Sequence, residues 1–260
     1  STVLREKSGI DLIITLVHQT TFDDDMFRAV MFMDEYFDLL SLDKIRDIES
    51  RHDRSISTLT HYIDCVHDIL DKYKKDGVLA TKLGYAYRRP LHVSKPTFHE
   101  AETVFNRIMR LSLNESLTRA ESKPLQDYLI HEIIQGSRER GMPIQIHTGH
   151  QEPSVSGNGN IITHSKVTDL IPLLLEYPDA KFVLLHAGLP YIHEYLSIAK
   201  NFPNVYADMT WVYIISPTLA TQILHQMIEM VPRSKILGFG GDYNYVEGIY
   251  AHAKMARNIL

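Results

Sequence analysis

Four apolar runs in the second half of the chain each stop at a side chain that can bind a metal or move a proton, and helix-length sequence separates them. Pro143-Ile144-Gln145-Ile146 ends at His147-Thr148-Gly149, and Phe182-Val183-Leu184-Leu185 ends at His186-Ala187-Gly188. Val205-Tyr206-Ala207 ends at Asp208, and Ile236-Leu237-Gly238-Phe239-Gly240-Gly241 ends at Asp242. Short runs with no polar alternation read as strands buried on both faces, which is the signature of a parallel sheet. In a barrel of parallel strands the working edge is the C-terminal one, so a polar strand tip is a site candidate. One such tip means little. A strand-end histidine is ordinarily a hydrogen-bonded structural residue, and Asp208 alone could cap the next helix. The repetition carries the argument.

The rest of the chain extends the pattern. Asp11–Val17 reads as a first strand ending near His18, Ala29–Met33 as a second, and Val78–Tyr85 as a third that leads into Tyr87-Arg88-Arg89-Pro90. Between Ser57 and Lys75, Leu59, Ile63, Val66, Leu70 and Tyr73 recur with helical spacing, and Gly77 terminates the segment. Further helices are expected over 97–111, 124–140, 166–176, 190–201, 217–230 and 246–259, with Pro124 in a first turn and Gly141 as a cap. The polar, glycine-rich stretch from Gln151 to Thr163 follows a strand directly, where it could form a rim or lid, or simply a surface loop. No linker, repeat or low-complexity segment divides the chain, so 1–260 is expected to be one domain. Alternating strands and helices leave a barrel or a doubly wound sheet. No Gly-x-Gly-x-x-Gly motif follows a strand, which disfavours a dinucleotide fold and favours the barrel.

Composition narrows the partners. With 44% hydrophobic residues the 260-residue chain can bury a sizeable core, and a net charge of -5 gives no reason to expect nucleic acid or an anionic membrane. No apolar run approaches the length of a membrane span. The only cysteine, Cys65, excludes an internal disulfide and suits a buried thiol, which fits a cytoplasmic protein. The first residues are not a signal peptide; they lack an initiator Met and read like the middle of a helix.

Imidazoles and a carboxylate meeting at one mouth can hold a divalent metal and activate water on it. His147, His186 and Asp242 are the candidates. Asp242 is the strongest of them, because Gly240-Gly241 permits close backbone approach and leaves its carboxylate on the rim to bind metal or accept a proton.

The order His-Thr-Gly, His-Ala-Gly, Asn-Val-Tyr-x-Asp and Gly-Gly-Asp resembles the amidohydrolase-related branch of the amidohydrolase superfamily, near members that are similar to uronate isomerases. Tyr191 and Val231-Pro232-Arg233-Ser234-Lys235-Ile236 match as well, and the likeness is close from Met142 to Arg257. It implies a metal-dependent (β/α)8 TIM barrel acting on a small molecule. His147 would be a fifth-strand ligand or a neighbour of one. His186 would be a ligand or would polarise the substrate, and Asp242 would be both ligand and general base. Lys82 falls where some members carry a carboxylated lysine; this branch usually does without one, so Lys82 is expected to be an ordinary strand lysine that faces substrate or solvent. Arg88 or Arg89 could clamp a substrate carboxylate, or the pair could sit in solvent. The metal implied is zinc, with manganese or iron as alternatives, and pairing through the outer helices into a homo-oligomer suits such families.

The family's first strand carries His-x-His, and this sequence contains none. The candidate strands also number seven rather than eight, so the barrel is expected to be incomplete at the N-terminus. The leading expectation is a hydrolase that attacks an amide, ester or lactone through activated water, with Asp242 moving the proton and His186 steadying the oxyanion. Sugar-acid isomerisation or nonoxidative decarboxylation would use the same fold. A catalytically silent barrel without metal is the contrasting expectation. Tyr206, Trp211 and Tyr213 would floor the pocket or belong to the core.

Overall fold

A computed structural model describes residues 2–17, 22, 25–152 and 161–259. Seven strands, β1 (Ile13–Val17), β2 (Phe27–Phe32), β3 (Ala80–Leu83), β4 (Ile144–His147), β5 (Phe182–Leu185), β6 (Val205–Asp208) and β7 (Ile236–Leu237), form one sheet. Every pairing is parallel and joins chain neighbours, from β1 beside β2 to β6 beside β7. A doubly wound sheet would reverse its order at a switch point. This strictly sequential order is that of a (β/α) barrel, left open between β1 and β7 among the described residues.

Helices fill the crossovers. A helical turn, Val3–Lys7, precedes β1, and α1 (Asp34–Phe37), α2 (Leu42–His52) and α3 (Leu59–Lys75) link β2 to β3. Next come α4 (Phe98–Ile108) and α5 (Arg119–Glu139) before β4, α6 (Ile171–Glu176) before β5, and α7 (Ile192–Asn201) before β6. α8 (Val212–Ile215) and α9 (Pro217–Met230) lead to β7, and α10 (Val246–Ile259) follows it.

Two expectations shift for local physical reasons. The buried face of α3 turns to take in Tyr62 and Ile69, while Ile63 is only half-buried, because the Tyr62 hydroxyl donates to the carbonyl of Tyr36 at 2.7 Å. α5 begins before Pro124. Thr118 and Glu121 make a reciprocal capping box, which fixes the start at Arg119 and leaves the proline inside the helix. Cys65 is buried on α3 as expected. The core runs between sheet and helices, with Phe182, Ile144 and Ile146 of the strands packed in one cluster with Leu129 and Ile133 of α5 and Tyr195 of α7. No helix is long and apolar enough to cross a membrane among the described residues.

Candidate active site

Because all seven strands are parallel, their C-terminal tips share one end of the sheet. Lys82 stands near the end of β3, His147 ends β4, His186 follows β5, Asp208 ends β6 and Asp242 lies beyond β7. The His147 and His186 rings are 4.5 Å apart between centroids, and the Tyr87 ring also lies 4.5 Å from His147. Lys82, His147, His186 and Asp208 are buried, whereas Asp242 is exposed on the rim.

The glycines of the His-Thr-Gly and Gly-Gly-Asp motifs explain how these tips come so close. Gly149 has φ +68° and packs on the backbone of the β5 tip; a Cβ there would lie 2.5 Å from the amide nitrogen of Leu189. Gly240 packs instead on the side chain of Thr210, which a Cβ would meet, and its carbonyl accepts the Trp211 N–H at 3.0 Å. The tips of β4 and β5, and those of β6 and β7, therefore touch through backbone. His186, Trp211 and Asp242 themselves adopt left-handed φ of 68°, 67° and 54°, a conformation that costs non-glycine residues energy and concentrates at functional sites.

Hydrogen bonds set the tautomers. His186 Nδ1 lies 3.0 Å from the Thr210 carbonyl, so it carries the proton, and Nε2 is left as a buried lone pair with no partner. His147 Nε2 donates to the His150 carbonyl at 2.8 Å. Burial, followed by the charge of Lys82, drops His186 to about 4, and burial holds His147 well below the ordinary histidine range. Both rings are neutral near pH 7. His186 is thus an acceptor at Nε2, a posture that suits a metal ligand better than a donor to an oxyanion. Burial also pushes Asp208 up to about 6, tempered by the Thr210 N–H it accepts at 2.8 Å. Lys82 is lowered by burial against the pull of Asp242, Asp208 and Asp34, and it forms no ion pair among the described residues.

Asp34, just beyond β2, escapes the sequence reading although Phe32-Met33-Asp34 repeats the pattern of an apolar run ended by an acid. It is buried, accepts the Gly84 N–H at 2.7 Å, and is pushed up to about 7 by burial. Arg89 departs from its expected role. Its buried guanidinium pairs with Asp127 and donates to Gln126 at 3.1 Å and to the His92 carbonyl at 3.0 Å, so it is neither solvated nor free to clamp a substrate. Arg88 pairs with Asp38 at 3.0 Å and remains partly exposed. Tyr213 is core, its hydroxyl donating to the Gly238 carbonyl, while Trp211 lies 5.6 Å from His150. Most of the 151–163 stretch lies outside the described residues.

The donors suit a divalent metal in part. A neutral imidazole whose far nitrogen is pinned by a carbonyl, and whose near nitrogen is buried and unpartnered, has the standard posture of a metal ligand. Among the described residues, however, no three His, Cys, Asp or Glu side chains are grouped closely enough to hold an ion.

A model of the amidohydrolase family matches residues 109–256. Protein fluG of Emericella nidulans is 26% identical over 200 residues, which cover 74% of this chain and 22% of that protein. Uronate isomerase from Thermotoga maritima superposes with a TM-score of 0.75 at 18% identity, covering 90% of this chain and 54% of that one. Glucuronate isomerase from Caulobacter crescentus superposes with a TM-score of 0.74 at 17% identity, covering 98% and 58%. The chain thus spans under a quarter of the curated relative and little over half of these structures.

Proposed function

This chain belongs to the amidohydrolase family, and from that premise we infer that it serves a metal-dependent hydrolase acting on a small, carboxylate-bearing molecule. The observation that carries the reading is the unpartnered Nε2 of His186, buried at a strand tip with its tautomer fixed by Thr210. His186, His147 and Asp242 would hold the ion, zinc first and manganese or iron as alternatives. When bound, it supplies Lewis acidity that activates water and polarises a carbonyl.

The chain's own side chains do the rest. Asp242, exposed on the rim, accepts the proton of the attacking water and returns it to the leaving group. Lys82 offers the mouth an unpaired positive charge, and takes over from His186 the task of meeting the developing oxyanion. Arg88, partly exposed, is the remaining guanidinium for a substrate carboxylate, while Arg89 holds the wall behind it. Burial of the two imidazoles keeps them neutral and able to act as ligands near pH 7.

A silent barrel is the second reading. It is favoured by the lack of a grouped three-residue ligand set among the described residues. Metal content by plasma mass spectrometry, on protein purified without chelator, separates the two. The enzyme reading expects about one equivalent per chain, lost in His186→Ala and weakened in Asp242→Asn. Metal-free protein that takes up none on reconstitution would favour the silent barrel. A metal-loaded chain would then be screened against carboxylated amides and lactones for hydrolysis, with sugar acids testing isomerisation and decarboxylation.

A further inference from the structure

We propose that a cavity between the Val3–Lys7 turn and the last two turns of α10 binds a small, multiply charged oxyanion, either phosphate or a phosphate monoester. This cavity is a groove open to solvent, with a volume of about 220 Å³, lined by the exposed Lys7, Lys254, Arg257 and Asn258 and the half-buried Tyr250. The four α10 residues fall at helical spacing on one face, and Lys7 closes the opposite wall. This cavity is separate from the strand-tip mouth, so the proposal stands independently of the hydrolase reading.

Three features make it more than a solvated basic face. In a chain of net charge -5, none of Lys7, Lys254 and Arg257 forms an ion pair among the described residues. Several exposed arginines elsewhere are held by carboxylates, as Arg51 is by Glu35, Arg107 by Glu121 and Arg140 by Asp71. The acids nearest Lys7 in sequence, Glu6 and Asp11, form no ion pair with it. Second, the guanidinium of Arg257 is held in place, since its Nη2 donates to the Gly9 carbonyl at 3.2 Å. Gly9 has φ +56°, and a Cβ there would already be 3.4 Å from that nitrogen. The bend after the first helical turn is shaped to seat the arginine head, leaving its other donors in a fixed fork suited to a tetrahedral oxyanion. Third, the Tyr250 hydroxyl and Asn258 amide add neutral donors beside the charges.

Electrostatics select the ligand. The C-terminus of α10 contributes about half a negative charge, well short of the three full positive charges beside it. Attraction scales with ligand charge, so a dianion is favoured over chloride or a monocarboxylate, and it is weakened by salt. The volume is several times the ~30 Å³ share of one water, so a phosphate with a short organic tail fits.

The test is isothermal titration of the whole 260-residue chain with inorganic phosphate and, separately, with glycerol phosphate at low ionic strength. One saturable site per chain is expected. Lys254→Gln and Arg257→Gln should each weaken it about tenfold, the size of one lost charge-assisted contact. Arg257→Lys should lose less, and Arg233→Gln, away from the cavity, should match the wild type. Equal affinity for the two ligands would identify free phosphate as the occupant, and tighter binding of the ester would identify a phosphorylated metabolite. If the wild type binds neither saturably, or if the folded Lys254→Gln/Arg257→Gln double variant binds as well as the wild type, the proposal is overturned. Circular dichroism of each variant establishes that it is folded.

Discussion

Two buried polar clusters lie close together in this molecule and differ in one respect. Behind the β3 tip, Arg89 pairs with Asp127, which also accepts from Ser94 and Lys123; Gln126 accepts from Arg89 and donates to Asp38 at 2.9 Å, and Asp38 takes Arg88 and Arg119. Every charge there is answered. In the mouth, by contrast, His186 Nε2 has no partner and Lys82 forms no ion pair among the described residues. A closed network of buried charge fixes a wall, whereas buried polar groups left open await something from outside. Satisfaction rather than residue type tells the two apart, since both contain basic and acidic groups in similar burial.

Cutting the closed cluster gives the largest expected effect. Arg89→Ala leaves Asp127 buried without its main partner and is expected to cost about 3–5 kcal/mol in urea unfolding. A loss below ~1 kcal/mol would show that the wall does not depend on the pair, and the comparison would break. Next comes Asp34→Asn, which keeps the acceptor for Gly84 and removes the charge. The folded pKa of about 7 lies above the unbound value of 3.8, so the folded state holds the proton more tightly. That contribution is complete below the lower value and is lost as pH rises towards the higher. The variant should therefore match wild type near pH 4 and exceed it at pH 8 by roughly 2–4 kcal/mol, read as Tm across that range. A residual slope from Asp208, raised to about 6, remains in both.

Opening the mouth further should cost little. His186→Gln loses one hydrogen bond to Thr210, worth about 1 kcal/mol, yet is expected to abolish metal uptake. Equal stability losses for His186→Gln and Arg89→Ala would erase the distinction between the clusters. Smallest of all is Arg88→Ala, a half-exposed pair expected to change stability by about 0–1 kcal/mol, with its effect instead in the KM for a carboxylate substrate.

The strands were readable because parallel strands covered on both faces leave uninterrupted apolar runs; all seven candidate positions carry strands, and Pro217–Met230 and Val246–Ile259 form helices over the expected spans. α2 went unread because its buried residues, Ile45 and Ile48, are sparse in a charged segment. Arg89 was misread because its partner lies 38 positions away on α5, and no local pattern encodes that pairing. The histidine roles turned on which nitrogen meets a carbonyl. That depends on the left-handed bend at His186 and on Thr210 just beyond the next strand, neither of which is visible in His-Ala-Gly alone.

The sequential strand order has a bearing on biosynthesis. As the chain leaves the ribosome, each new strand can add to an edge already formed, so most of the sheet and its helices can assemble early. The mouth cannot. The carbonyl that orients His186 arrives after β6, Gly240 then locks onto Thr210, and Asp242 comes only after β7. A nascent chain paused before Gly240 would hold a largely built scaffold with an unfinished centre, because the mouth closes only after β7 and Asp242 have been made.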